Sequence, residues 1–381
     1  MEILIQVTRF VDGEEMATAR EVASSIRKWA VAKNLMHSLP AVVEAIYVAD
    51  VAQAPITDEA ETVLRQRGIS SISFNDMDSS VWVYTKRRVT MKDVEILPAD
   101  FAGCAITYSQ GEIDELGNVP AEAQGAPYEL GQANGFAIYR CGSSISPGNS
   151  ASAGTMGALV TKNGQVYGLT NNHVSGGCSH SPPGLPILAP GVLDVAPGGI
   201  SPFTVGYHDS VLSMVPGDGG NVQIAQNSDA ALFRITNAAA VSSYQGTVFD
   251  TPAIVQEPYE GMIVEKVGRT TGHTTGKIVG RELVPLRVSA SAPNYGYKAV
   301  VLMPSAFIVH GDERPFSEGG DSGSLVTSRQ LDGSYAAVGI LFAGGQDSKA
   351  PGGKKTYILP IGPILLRLGV TLISAHNVPI I

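Results

Sequence analysis

The apolar residues near the N-terminus recur every three or four positions, which is the period of one helix face. The positions that share this spacing are Met16, Ala19, Val22, Ile26, Trp29 and Ala30. The pattern predicts a helix over Met16–Leu39, and Pro40 is expected to close it.

The apolar runs that follow are shorter. Some repeat at the helical period of three or four residues, and others alternate every second residue as in a strand. A second helix is predicted over Asp58–Arg67, with a cap at its start and Gly68 at its end. Three strands are predicted after it: Ile69–Phe74, Val81–Lys86 and Ala105–Tyr108. This mixture predicts a small α/β domain over residues 1–118.

Beyond Gly131 the chain changes to many short strand-like runs with turn residues between them. The 43 glycines and 23 prolines of the chain favour tight turns over long helices. We therefore predict a linker over residues 119–132 and an all-β double barrel over residues 133–381. Two Gly-rich segments, Gly142–Gly154 and Ser179–Gly220, are expected to be loose loops.

One hexapeptide carries the strongest chemical signal, Gly319-Gly320-Asp321-Ser322-Gly323-Ser324. Small residues around Ser322 let the backbone turn sharply, so that its hydroxyl projects and nearby N–H groups converge. Acyl transfer needs such a nucleophile beside an oxyanion hole.

Two residues upstream are suited to activate this serine. His173 follows the strand-like run Val166–Thr170, and Asp229 precedes another such run, Ala231–Ile235. A histidine takes the proton of the serine, and a buried carboxylate fixes the histidine tautomer. Two other aspartates are alternatives for the carboxylate: Asp209 and Asp218.

With these motifs in the order His, Asp, Ser, the chain resembles trypsin-like (chymotrypsin-fold) serine peptidases. The likeness is to bacterial streptogrisin and alpha-lytic protease and to intracellular trypsin-like peptidases, and it extends from Gly131 to the C-terminus. Further segments resemble barrel strands of that family: Gly154–Val160, Val267–Gly276, Tyr335–Gly345 and Thr356–Pro360. The resemblance implies a mainly β fold, a double six-stranded β-barrel.

The resemblance also implies a role for each matching residue. Ser322 is the nucleophile, His173 the general base, and Asp229 the carboxylate that orients the histidine. The backbone N–H groups of Gly320 and Ser322 form the oxyanion hole. Asp321 is buried beneath this hole and needs a cation, which we expect Arg269 or another internal arginine to supply.

The substrate pocket implied by the resemblance has no aspartate six residues before the nucleophile, where Phe316 stands instead. A preference for Arg or Lys substrates is therefore not expected, and an apolar or small pocket is predicted. The other expected pocket residues are Ser317, Glu318, Leu341, Phe342, Ala343 and Gly344.

Composition narrows the possible partners and the compartment. The net charge of −9, with no basic run longer than Lys86-Arg87-Arg88, argues against nucleic acid as a partner. Three cysteines and no apparent leader or apolar span predict a cytoplasmic protein that is not membrane-bound. No cofactor or metal is expected.

These features together predict an intracellular serine endopeptidase with a protein or peptide substrate. Two alternatives stay open: a gated or inactive protease-shaped binding module, and an esterase that uses the same three residues. The N-terminal domain is expected to regulate, oligomerise or recruit substrate, and the sequence does not choose among these.

Overall fold

The protein is described from a computed structural model, which covers residues 10–11, 14–15, 17–117, 120–133, 135–217 and 224–379. Several predicted positions lie outside the described residues: Met16, Asn118, Val119, Asp218 and Gly220. The chain divides into two compact units. Unit 1 comprises Met1–Glu112 and Gly280–Val284, and unit 2 comprises Ile113–Val279 and Pro285–Ile381.

Unit 1 is an α/β unit in which short helices accompany a small sheet. Its elements are β1 (Phe10–Val11), β2 (Glu14–Glu15), α1 (Ala19–Ala32), α2 (Ala41–Tyr47), α3 (Asp58–Arg67), β3 (Ile69–Asn75), β4 (Ser80–Thr85), α4 (Met91–Ile96), β5 (Asp100–Phe101) and β6 (Cys104–Gln110). The predicted helix over Asp58–Arg67 and the three strands after it are confirmed.

The first helix is shorter than the sequence predicted. Thr18 and Glu21 form a capping box, so α1 begins at Ala19, and it ends at Ala32 rather than at Leu39. Its apolar face, which includes Trp29, packs on β3 and β4 in the core of unit 1. Pro40 does not close this helix, because it is the residue that precedes α2.

Unit 2 is built mainly of strands, with an α-helix before its last strand. Its elements are β7 (Leu130–Ala133), β8 (Phe136–Cys141), β9 (Ser144–Pro147), β10 (Gly154–Thr155), β11 (Ala158–Lys162), β12 (Gln165–Thr170), β13 (Pro186–Ala189), β14 (Phe203–Val211), β15 (Ala231–Ile235), β16 (Val241–Gln245), β17 (Phe249–Asp250), β18 (Ile263–Gly268), β19 (Gly272–Glu282), β20 (Leu286–Ala292), β21 (Tyr297–Met303), β22 (Phe307–Gly311), β23 (Leu325–Arg329), β24 (Tyr335–Gln346), β25 (Lys354–Pro360), α5 (Ile361–Leu368) and β26 (Thr371–Leu372).

Two large β-structures dominate unit 2, beside a four-stranded sheet (β17-β16-β8-β7) and the β20–β21 hairpin, and the predicted mainly β fold class is confirmed. In the first, strands pair in the order β10-β9-β13-β14-β15-β12-β11-β26 around an apolar core that includes Phe233 and Leu159. In the second, strands β18-β23-β24-β25-β22-β19 close into a six-stranded barrel, because β19 also pairs with β18. Val338 and Phe316 belong to the core of this barrel.

The two segments predicted to be loops contain strands, so that prediction is wrong. Strand β9 lies within Gly142–Gly154, and β13 and β14 lie within Ser179–Gly220. Ile187 and Val205 of the second segment are buried in the core, since proline and glycine fall mostly at its turns. Within the described residues, no helix is both long and apolar enough to span a membrane.

Candidate active site

Strand pairing brings His173 and Asp229 together. Thr170 at the end of β12 pairs with Ala231 at the start of β15, so the turn after one strand meets the loop before the other. His173 lies in a helical turn over Asn172–Gly176. Its Nδ1 is 2.5 Å from Oδ2 of Asp229, and its backbone N–H donates to Oδ1 at 2.9 Å.

The carboxylate of Asp229 is fully buried, and its position selects one tautomer of the imidazole. A proton on Nδ1 of His173 points at this carboxylate, which leaves Nε2 as an acceptor. Asn171 donates to the backbone carbonyl of Asp229 at 2.6 Å and holds the loop in place. The alternative Asp209 lies on an exposed position of β14.

The loop that carries Ser322 requires glycine at two positions. Gly320 has φ +103° and Gly323 has φ +95°, a backbone region that side chains rarely adopt. A Cβ on Gly320 would lie 2.4 Å from Oγ1 of Thr270, and one on Gly323 would lie 2.4 Å from Oγ1 of Thr170. This glycine-dependent turn presents Ser322 to a cavity of about 310 Å³ that His173 also lines.

Within the described part of the chain, no hydrogen bond joins Ser322 to His173, although both line this cavity. Catalytic hydrogen bonds are often long in enzymes without substrate and tighten when the substrate binds. The arrangement brings a hydroxyl and an imidazole to one cavity, which is the first requirement for nucleophilic catalysis.

Two peptide groups of the loop Gly319–Ser324, called the nucleophile loop after the role predicted for Ser322, are held in a fixed orientation. The carbonyl of Gly319 accepts from the N–H of Ala121 at 2.9 Å and from Oγ1 of Thr270 at 2.8 Å. The carbonyl of Asp321 accepts from the N–H and the hydroxyl of Ser324. Because a trans peptide points its N–H away from its C=O, the N–H groups of Gly320 and Ser322 face the opposite side.

Neither of these two N–H groups has a hydrogen-bond partner among the described residues, and both Gly320 and Ser322 line the cavity. Paired backbone donors of this kind can stabilise a negative oxygen. Both donors are therefore available at the cavity in the absence of any ligand.

The cation next to Asp321 is Lys266, and the expectation that Arg269 supplies it is wrong. Nζ of Lys266 lies 3.4 Å from Oδ2 of Asp321, and both side chains are fully buried. The guanidinium of Arg269 instead binds Asp194, with Nε 2.8 Å from Oδ2. Lys266 lies at a fully buried position of β18 and reaches Asp321, whereas the Arg269 side chain extends from the following turn to Asp194.

Asp321 is further held by four hydrogen bonds. Its donors are the backbone N–H groups of Thr270, Thr271 and Glu318 and the hydroxyl of Thr271, at 2.7–3.1 Å. Burial lowers the pKa of Lys266 from its usual 10.5, and the Asp321 carboxylate opposes this shift. The aspartate thus anchors the nucleophile loop to the β18–β19 turn.

Most of the residues expected in the pocket line the cavity, but Phe316 does not. Ser317, Glu318, Leu341, Phe342, Ala343 and Gly344 line it. Phe316 is 1% exposed and packs in the barrel core. Its carbonyl accepts from Oγ1 of Thr274, which fixes the backbone so that Ser317 is the residue at the cavity.

Several cavity residues were not anticipated from the sequence. Lys354 forms an ion pair with Glu318, and Asp114 lies beside Gly344. Burial raises the pKa of Asp114, while Lys354 lowers it and Glu318 raises it. Tyr295, at the tip of the β20–β21 hairpin, donates to Ser181 and accepts from Asn149 above the cavity.

No protein-family model matches the chain. The protein NARROW LEAF 1 of Oryza sativa subsp. japonica is 27% identical over 296 residues, which are 70% of this chain and 48% of that protein. The chain thus spans about half the length of this curated relative.

Similar solved structures include Thermobifida fusca protease A, with 22% identity over 62% of this chain and 98% of that one at a TM-score of 0.40. An alpha-lytic protease homologue, N4, has 22% identity over 61% of this chain and 98% of its own at a TM-score of 0.40.

Proposed function

We propose that this chain is a serine endopeptidase in which Ser322, His173 and Asp229 hydrolyse peptide bonds. The observation that carries the proposal is the meeting of three features at one cavity. These are the His173–Asp229 pair at 2.5 Å, the hydroxyl-bearing residue Ser322, and the two unpartnered N–H groups of the nucleophile loop.

The first step uses the tautomer that Asp229 selects. Nε2 of His173 accepts the proton of Ser322 as Oγ attacks the carbonyl carbon of the substrate. The buried carboxylate of Asp229 then stabilises the imidazolium that forms. The new Oγ–C bond turns the carbonyl oxygen into an oxyanion.

The N–H groups of Gly320 and Ser322 hold this oxyanion, and each such donor contributes about 3–4 kcal/mol in comparable enzymes. The imidazolium returns its proton to the leaving amine as the C–N bond breaks. Water then attacks the acyl-enzyme with His173 again as base, which releases the acid and restores the serine.

We propose a small or apolar substrate side chain for the pocket beside Ser322. Leu341, Phe342 and Ala343 line this region, and the charge of Glu318 is matched by Lys354. An apolar pocket discriminates by about 1–3 kcal/mol per methylene, so a moderate preference is expected.

We also propose a reducing, cytoplasmic compartment for the enzyme. The three cysteines, Cys104, Cys141 and Cys178, are buried free thiols. Burial raises the pKa of Cys178 to about 12, which suits an inert structural thiol. Stable disulfides are usual in oxidising compartments and rare in reducing ones.

Labelling with a fluorophosphonate tests the proposal, because only an activated serine reacts. The wild-type chain should be labelled at Ser322, and Ser322→Ala should lose the label. Ser150→Ala is the matched control, since Ser150 also lines the cavity but lies outside the loop that carries Ser322. An unlabelled wild type, or a labelled Ser322→Ala variant, would contradict the proposed function.

A further inference from the structure

One edge of strand β24 is free of its barrel neighbour beside the nucleophile. The pairing of β24 with β23 runs from Tyr335 to Ile340, where Ile340 pairs with Leu325. Leu341 still exchanges hydrogen bonds with Gly323 and Ser324. From Ala343 onward, β25 is the one strand among the described residues that pairs with β24. An unpaired strand edge is a template on which an extended peptide can add as a further strand.

This edge is already occupied by another stretch of unit 2, the cleft segment (Ile113–Gly117). Ile113 pairs antiparallel with Gly345, and the N–H of Asp114 donates to the carbonyl of Gly344 at 2.9 Å. One cavity is lined by the cleft segment, by the edge of β24 and by Ser322.

The other side of the cleft segment is held by the β20–β21 hairpin. The N–H of Leu116 donates to the carbonyl of Ser289 at 2.8 Å, and its carbonyl accepts from the N–H of Ser291 at 3.0 Å. Leu116 is 3% exposed. The segment is therefore docked through its backbone on both sides, as a bound peptide would be.

We propose that the cleft segment is an internal competitor of the substrate, which occupies backbone-binding groups of the β24 edge until it is displaced. This inference rests on the proposed function. A peptide that extends away from Ser322 along β24 needs the Gly344 carbonyl, which Asp114 now uses. The segment and the substrate backbone then exclude each other at this position.

A competitor of this kind acts on substrate affinity. A segment that belongs to the same chain has a high effective concentration at its docking site. Molecules in which the β24 edge is free are therefore a minor population. The apparent KM equals the intrinsic value divided by the competent fraction, whereas kcat at saturation does not change. A segment that served only as a fixed wall of the cavity would contact the substrate and so lower KM. Loosening such a wall would therefore raise KM.

Gly117 offers a way to loosen the segment without touching the nucleophile. Its φ is +83°, and a Cβ there would lie 2.2 Å from the backbone oxygen of Ser291. The Gly117→Ala change therefore disrupts the fit of the segment on the hairpin. Because the hairpin is one of the two anchors of the segment, its docking on the β24 edge should weaken. Gly164→Ala is the matched control, because Gly164 has φ +76° with nothing within 4 Å of its added Cβ.

The experiment compares kcat and KM of the two variants on an extended fluorogenic peptide, with active sites counted by fluorophosphonate labelling. Gly117→Ala should lower KM about tenfold relative to Gly164→Ala, which corresponds to a competent fraction near a tenth in the parent chain. An equal or higher KM in Gly117→Ala would overturn the proposal. Failure of the proposed function would appear separately, as absent labelling in the wild type.

A reversible disulfide between the cleft segment and β24 provides the second measurement. Antiparallel partners have Cα atoms about 4.5–5.5 Å apart, within the range a disulfide bridges. The double variant Ile113→Cys, Gly345→Cys should lose peptide hydrolysis on oxidation and regain it on reduction, while labelling persists in both forms. Full peptide hydrolysis by the oxidised form would refute the competition.

Discussion

Nζ of Lys266 lies 3.4 Å from Oδ2 of Asp321, and both side chains are fully buried. This pair connects strand β18 to the residue directly before Ser322. Four further hydrogen bonds hold the same carboxylate. The nucleophile loop is therefore anchored from within unit 2, at a site where an unpaired charge is costly.

Replacing Lys266 by Met should destabilise the protein strongly. Removing one partner of a buried ion pair costs about 3–5 kcal/mol, because the remaining charge is left uncompensated. Lys277→Met is the control, since Lys277 is exposed on β19 and its loss should cost about 0.5 kcal/mol or less. Urea unfolding measures both free energies, and equal midpoints would refute the anchoring role.

Adding a methyl group at residue 320 should impair catalysis. Gly320→Ala meets Oγ1 of Thr270 at 2.4 Å, and relief of this clash moves the N–H that faces the cavity. Loss of one oxyanion donor lowers kcat by about 10²–10³-fold. Gly333→Ala controls for backbone strain, with φ +85° and no neighbour within 4 Å. Equal kcat values for the two variants would show that Gly320 is not a donor.

Changing the carboxylate that contacts His173 should slow turnover while the fold survives. Asp229→Asn permits the wrong imidazole tautomer, which lowers kcat by about 10⁴-fold in serine proteases. Asp209→Asn should change kcat little, because Asp209 is exposed on β14. Peptide hydrolysis measures both, and a larger loss in Asp209→Asn would reassign the carboxylate.

A buried histidine outside the site should make stability depend on pH. Burial lowers the pKa of His208 from its usual 6.5, and its Nδ1 has no partner among the described residues. Between the folded pKa and 6.5 the unfolded chain binds more protons, so stability rises with pH and is lost as pH falls.

The free energy of unfolding, measured by urea at pH 5.5 and 7.5, should therefore fall more on acidification in the wild type than in His208→Gln. The comparison uses the change in unfolding free energy between the two pH values within each protein, so the destabilisation caused by the substitution itself cancels. A fall of the same size in both proteins would mean that His208 does not carry this dependence.

The sequence predicted that His173 and Asp229 lie together and that Ser322 faces the same site, because each of these residues adjoins a strand with a clear apolar pattern. His173 follows β12 and Asp229 precedes β15, so pairing of the two strands brings the side chains together. The glycines around Ser322 likewise require a turn of unusual φ. The roles in catalysis assigned to these residues stay predictions.

Other contacts depend on side-chain direction and long-range pairing, which one-dimensional patterns specify poorly. Phe316 and Ser317 are neighbours, yet the first enters the barrel core and the second faces the cavity. Lys266 shares the inward face of β18 with Val264. The alternation of the strand indicates a buried position for residue 266, but a lysine is normally expected to face solvent. The docking of Asp114 on Gly344 joins residues distant in the chain, and nothing local predicts it.

The most direct test of the central claim is the intact mass of the enzyme during turnover of an activated peptide ester. We predict a transient adduct of the acyl mass, which peptide mapping assigns to Ser322 and which disappears as product forms. Product formation by Ser322→Ala at the wild-type rate, or an adduct on another residue, would contradict the account.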